Sequence, residues 1–310
     1  MPADRTRVGV LERPSRADFL LIAVGVAGVS TSAPLIKAAV APTLAIAFWR
    51  NLIASGVVLP FAAVRSRDEL RALDRRERRL SVIAGLLLAA HFATWIPSLS
   101  FTTVASSVAL VATQPVWAAL VARARGDAVL PSAWLGIVIA VAGAVLLSGI
   151  DLQVSARALG GDLLALVGGI FAALYVTVGA EVRRTVSTTA YTSICYAVAA
   201  VTLLVVCLVS GAELSGYSAG TWWRILALTV LAQLLGHSVF NHVLKTTSPT
   251  VVSIAILFEI VGAAVLAAIF IGERPPVVAL PAAALIALGV VLVVRSGSRR
   301  PEIAGVPAVE

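Results

Sequence analysis

Ten apolar runs set the terms for any fold of this chain. They fall at about 19–38, 43–64, 80–101, 103–123, 132–149, 160–180, 189–209, 222–245, 249–271 and 276–294. A helix needs ~20 apolar residues to cross the hydrocarbon core of a bilayer. In lipid every backbone N–H and C=O must be satisfied internally, so such runs span as helices. The gaps between them leave no room for a separate soluble domain. At 59% hydrophobic and 13% charged, with a mean hydropathy of +0.98, a soluble chain of this size would turn surplus apolar surface to water. The expected fold class is an all-α integral membrane protein with ten transmembrane helices.

The charges give an orientation. Arg5, Arg7, Arg13 and Arg16 precede the first run, and Arg65, Arg67, Arg71, Arg75, Arg76, Arg78 and Arg79 fill the gap after the second. Arg123, Arg125, Arg183, Arg184, Lys245, Arg295, Arg299 and Arg300 fall in the later gaps of the same parity, making nineteen basic residues on one side. Only Arg157, Arg224 and Arg274 fall on the other. Cytoplasmic loops carry the excess of Lys and Arg, so both termini are expected in the cytoplasm of a multi-pass protein of the plasma membrane, of bacterial inner-membrane type. The net charge of +8 does not gather on one amphipathic face, and no nucleic-acid partner is expected. The first run is read as a span rather than a cleaved signal, although Ala39-Val40-Ala41 resembles a cleavage site. Cys195 and Cys207 lie twelve residues apart in one predicted helix, about 18 Å along its axis, and cannot pair with each other.

Within the eighth run, Thr229, Gln233, His237, Asn241 and Lys245 recur every four residues and form one polar stripe on an α-helix. Polar groups at that depth are costly and face a cavity or other helices. His91, 146 residues before His237, opens a matching stripe with Thr94, Trp95 and Ser98. Gln114 matches Glu259 at an offset of 145, and Gly143 matches Gly289 at 146; Asp18 and Asp162 form a looser pair. The chain is therefore expected to be duplicated. Residues 1–18 form a cytoplasmic tail, 19–150 and 151–294 two five-helix repeats, and 295–310 a second cytoplasmic tail. Five is odd, so the repeats insert in opposite orientations, and inverted repeats place a site near the midplane where they meet.

The stretch Trp95-Ile-Pro-Ser-Leu99-Ser-Phe-Thr102-Thr-Val-Ala105-Ser-Ser-Val-Ala109 through Pro115 resembles the EamA-like family of the drug/metabolite transporter superfamily. So do Phe258-Glu259, Gly272-Glu273-Arg274, the glycines Gly136, Gly143 and Gly289, and the basic Arg50 in the second run. Two departures stand out: Ile260 follows Glu259 where a proline is common, and Arg125-Gly126-Asp127 replaces a Gly-Glu ending. The resemblance covers nearly the whole chain. It implies secondary transport of a small metabolite, amino-acid-like compound or drug, often outward. It also implies a cavity lined by helices 1–4 and 6–9, with helices 5 and 10 at the periphery.

The candidate substrate-binding or coupling residues are Arg50, His91, Trp95, Ser98, Gln114, Gln233, His237, Asn241 and Glu259. Arg50 is suited to attract a substrate carboxylate or to pair with an acid; a snorkelling structural arginine is the alternative. His91 and His237 titrate near neutrality and can shuttle protons, or serve as neutral hydrogen-bonded core groups. Trp95 can stack on a substrate ring or on neighbouring helices. Gln114 extends a polar lining or makes one interhelical hydrogen bond. Glu259 is either a proton carrier or substrate contact, or a helix clamp to Arg50, His237 or Gln114. Pro34, Pro97 and Pro115 free backbone carbonyls and are expected to interrupt three helices.

Expected partners are a small-molecule substrate, the lipid bilayer, protons where transport is coupled, and a second copy of the chain in a homodimer. No cofactor is expected. There is no HExxH motif and no Walker A loop, so the chain is read as no enzyme. The alternative is a membrane-embedded enzyme using the intramembrane His and Glu residues.

Overall fold

The computed structural model describes residues 16–126, 129–236, 239–240, 243, 255–277 and 279–297, without side chains at 148–149 and 151–154. All secondary structure among them is helical. The first expected span is two helices in line, α1 (Arg16–Ser30) and α2 (Ser32–Ala38), followed by α3 (Thr43–Arg65). A short helix α4 (Arg67–Ala72) occupies the arginine-rich gap and leads into α5 (Arg75–Ser98). The fourth span is again two segments, α6 (Val104–Val111) and α7 (Gln114–Ala124), and α8 (Pro131–Val154) closes the first half. The second half comprises α9 (Ala156–Val182), α10 (Thr188–Ser210) and α11 (Ala219–Ala227). A π-helix π1 (Leu228–Gly236), α12 (Phe258–Phe270) and α13 (Ala279–Gly297) complete it.

Local chemistry explains the starts. Asp74 and Glu77 form a reciprocal capping box at the head of α5, with Glu77 N–H donating to Asp74 Oδ1 at 2.6 Å and Asp74 N–H donating to Glu77 Oε2 at 3.0 Å. Thr103, Ser155, Ser187 and Ser218 cap α6, α9, α10 and α11 with their hydroxyl oxygens.

Among the described residues, seven helical stretches are long and apolar enough to cross a membrane. Two more expected spans appear as shorter apolar helices, Pro131–Leu147 and Phe258–Phe270. The remaining one begins as α11 and π1 and runs at Gly236 into residues outside the description. Outward faces carry Leu20, Val64, Val209, Trp223 and Phe270, all strongly exposed, as lipid-facing surface requires.

The two halves interleave. α5 packs on α9, and in the reciprocal position π1 packs on α1. α6 and α7 meet α9, while α12 meets α1 and α2; α5 meets α10, while π1 meets α3. Three pairs match like with like: α3 with α10, α6 with α12, and α8 with α13. The α8–α13 seam is drawn tight by glycine. A Cβ at Gly289 would meet Gly136 O at 2.5 Å, and one at Gly136 would meet Gly289 O at 2.6 Å. Small residues of this kind let helix backbones approach within a membrane.

The structure departs from two expectations. The polar stripe was expected on an α-helix, but Leu228–Gly236 has the wider π turn, with hydrogen bonds to the fifth residue. Thr229 and Gln233 nevertheless both face inward, 0% and 2% exposed. Pro97 does not interrupt α5, because it sits in the final turn; Pro60 likewise lies inside an unbroken α3. Pro34 and Pro115 do sit just past breaks, at Thr31 and at Ala112–Thr113.

Candidate functional site: a buried arginine among aromatic and amide groups

Arg50 is the centre. It lies in the first third of α3, 2% exposed, and is the largest side chain so deeply buried among the described residues. Its Nε donates to Gln233 Oε1 at 2.5 Å, and its Nη1 donates to Ser32 Oγ at 3.4 Å. The guanidinium carbon stands 4.4 Å from the centroid of the Phe92 ring. Gln233 Nε2 in turn donates to Asn51 Oδ1 at 3.4 Å, and Asn51 Nδ2 donates to Ala47 O at 2.8 Å. The nearest partners of this cation are therefore an amide, a hydroxyl and a π-face. Tyr196 lies within reach of both Gln233 and Arg50, and Glu259 lies within electrostatic reach of Arg50.

The elements that bring these groups together come from both halves. α3 supplies Arg50 and Asn51, the head of α2 supplies Ser32, α5 supplies Phe92, and π1 supplies Gln233. The i→i+5 turn of π1 widens the helix where Gln233 must reach Arg50.

An aromatic cluster continues along α5. The His91 ring is tilted against Phe92 at 4.9 Å and stacks on Trp95 at 5.5 Å with planes 10° apart. His91 Nδ1 is 2.9 Å from Gly168 O on α9. A carbonyl can only accept, so Nδ1 carries the proton and Nε2 is an acceptor in the neutral ring. Gly168 makes this possible, because a Cβ there would already stand 3.0 Å from the Trp95 Cβ. Trp95 is 5% exposed and its Nε1–H has no hydrogen-bond partner among the described residues. An indole N–H buried without an acceptor costs free energy. Ser98 closes the stripe: its Oγ donates to Trp95 O at 2.6 Å and lies 2.7 Å from Ser107 Oγ on α6.

Gln114 and Glu259, matched in sequence, share a structural setting. Gln114 is the first residue of α7, just after the break in the fourth span. Glu259 is the second residue of α12, just after the turn at Leu257. Both are half-buried at the start of a half-helix, where the N-terminal end of the helix dipole favours a carboxylate or an amide oxygen. Discontinuous helices of this kind form binding sites in transporters. Of the expected site residues, the structure thus gathers Arg50, Gln233 and Glu259 around one cation, and His91 and Trp95 beside it through Phe92. Ser98 is tied to Ser107 farther along α5. His237 and Asn241 lie outside the described residues.

Sequence reasoning missed Ser32, Asn51, Phe92 and Tyr196. Asn51 and Phe92 immediately follow Arg50 and His91, which was the available signal. Asp162, marked in the sequence only by its loose match to Asp18, is entirely buried in α9. Among the described residues no three His, Cys, Asp or Glu side chains group closely enough to hold a metal ion.

Two clefts lie apart from the cluster. An apolar crevice of about 380 Å³ runs between α6, α12 and α13, lined largely by alanines such as Ala105, Ala264 and Ala283. A polar vestibule of about 650 Å³ opens between the 39–42 and 213–218 links, lined by Pro42, Glu213, Tyr217 and Thr221.

Comparison with known proteins agrees with this architecture. The model of the EamA-like transporter family matches twice, over residues 16–149 and 159–295. An uncharacterized transporter from Archaeoglobus fulgidus is 25% identical over 212 residues, covering 67% of this chain and 73% of the relative. A solved crystal structure superposes with a TM-score of 0.62 at 18% identity, covering 92% of this chain and all of the other, which is a likeness of fold.

Proposed function

This chain belongs to the EamA-like transporter family, and we propose that it is a secondary transporter exporting a small amphipathic metabolite, amino-acid-like compound or drug by alternating access. In this reading ten helices form two inverted five-helix repeats, at 19–150 and 151–294, in the plasma membrane with both termini cytoplasmic. The reciprocal pairing of helices between the halves supports the repeat, as does the double match to the family. The family is one of transporters, and the enzyme alternative is not favoured.

The observation that carries the reading is the pairing of Arg50. A buried charge is ordinarily matched by an opposite charge with full hydrogen bonding. Here the direct partners are the neutral Gln233 and Ser32 and the Phe92 face, so the guanidinium keeps most of its field for an incoming acceptor group. An acidic or strongly accepting group on the substrate would bind there, and its apolar body would lie along Phe92, His91 and Trp95. The unpartnered Trp95 N–H would gain an acceptor in the process. Glu259, in the field of Arg50, is the group proposed to carry a proton when the substrate leaves. His237 and Asn241 are proposed to extend the lining from the second half.

The test is an untargeted comparison of metabolites in medium from deletion and overexpression strains, followed by flux of the enriched compound into proteoliposomes. Accumulation that does not depend on the chain, and vesicles that move none of the candidates, would remove the reading.

A further inference from the structure

We propose that Lys37 and Glu273 form a latch that holds one face of the transport path shut and parts in each cycle; this rests on the transport reading above. The Lys37 ammonium at the end of α2 pairs with the Glu273 carboxylate in the link between α12 and α13. Lys37 Nζ also donates to Thr102 O at 2.9 Å, and Glu273 Oε1 accepts the Val104 N–H at 2.5 Å. One ion pair therefore joins four pieces of chain: the end of the first span, the exit from α5, the head of α6, and the α12–α13 link. Of these, only Glu273 belongs to the second half, so the pair is a tie between the halves. It lies at the membrane face opposite the arginine-rich loops.

The placement favours both charges. The ammonium stands on the Thr102 carbonyl in the link between α5 and α6, and the carboxylate accepts the N–H of Val104, the first residue of α6. The carboxylate thus meets a helix end of opposite polarity, and the ammonium meets a carbonyl acceptor. The two side chains keep 28% and 19% of their exposure, so the pair is partly shielded yet still wet. Backbone geometry aims it. Gly272 has φ +68°, a left-handed turn that ends α12 and sends the next residue back across the bundle. The Glu273 N–H donates to Ala267 O at 3.2 Å, which fixes that turn.

Beneath the latch lie the Ser98–Ser107 hydroxyl pair and then Trp95 and His91, in successive turns of α5. The ion pair therefore closes the rim over the candidate site. Alternating access requires that rim to open. A wet ion pair at helix ends is weak enough to break on the time scale of such motions, whereas the glycine seam of α8 and α13 is not built to part.

The experiment labels Ser107→Cys in sealed membranes with a membrane-impermeant maleimide added at the latch face. The parent chain, with its buried Cys195 and Cys207, supplies the background. Glu273→Gln and Lys37→Gln are each expected to raise the labelling rate about fivefold. The double variant is expected to give no more than either alone, because each single change already breaks the shared bond. Lys37→Arg keeps the charge and is expected to label slowly. A cysteine at the exposed Ser215 reports intact fold and access, and its labelling is expected to stay constant in every variant. Unchanged labelling at Ser107 in both Gln variants would overturn the latch, as would increases that multiply in the double variant. Labelling needs no substrate, so a failed latch and a failed transport reading give different results.

Discussion

Replacing Gln233 by glutamate separates two roles of that side chain. In the native chain Gln233 Oε1 accepts from Arg50 Nε at 2.5 Å, and a carboxylate at this position would keep an oxygen in the same place at nearly the same volume. The change forfeits the long 3.4 Å bond to Asn51 Oδ1 and adds a negative charge beside the guanidinium. At a separation near 4 Å and an effective dielectric of 20, that attraction is about 4 kcal/mol. Desolvating the new carboxylate costs several kcal/mol in the opposite direction. The two offset, so thermal stability in detergent is expected to change by no more than about 1 kcal/mol. Transport is expected to respond very differently. A neutralised Arg50 withdraws a charge-assisted hydrogen bond from the substrate, about 1.5–3 kcal/mol, or roughly 10- to 150-fold in kcat/KM at 1.4 kcal/mol per decade. Gln233→Leu is the counterpart: it leaves a buried guanidinium N–H without its acceptor and should lower stability by about 1–3 kcal/mol. Proteoliposome flux and thermal unfolding of the same preparations read both effects. Flux by Gln233→Glu within twofold of the native chain would refute the argument that Arg50 is held open for substrate.

His91→Ala is expected to depress flux at normal membrane levels, since it removes both the stack on Trp95 and the tie to Gly168; unaltered flux would reduce the ring to packing. Glu259→Gln is expected to abolish the dependence of flux on an imposed pH gradient while substrate exchange persists, and a retained gradient response would assign Glu259 to a structural tie. Gly289→Leu should destabilise the fold by about 1–3 kcal/mol or more through overpacking against Gly136 and Ala140, measurable as a lower midpoint of thermal unfolding. Reporter fusions after Arg67 and Arg184 should read cytoplasmic, and those after Val40 and Ser215 external; an external signal at Arg184 would break the proposed topology.

The lengths of the apolar runs made the spans legible, because crossing lipid leaves one solution for the backbone. The site was legible as faces but not as partners. A stripe through Gln233 says that something polar lies opposite, yet nothing local says that it is Arg50, 183 residues away. The breaks in the first and fourth spans had a signal in Pro34 and Pro115. The turn at Leu257 had none, because Ile260 stands where a proline would have marked it. The π turn of Leu228–Gly236 is likewise invisible in a pattern of period four, since its wider hydrogen bonding depends on what packs against it. Lys37 and Glu273 read as charges near span ends, and only the fold revealed that they face each other.

The seam between α8 and α13 also bears on how the molecule is made. Gly143 is synthesised 146 residues before Gly289, and at about 5–20 residues per second that interval lasts roughly 7–30 s. Throughout it, the small-residue face of α8 sits in lipid without the helix it was shaped to meet. α13 is therefore the piece that closes this seam. A chain cut short before Ala279 would lose more than one crossing; it would retain an unmated surface halfway along its length, of the kind membrane quality control is placed to detect.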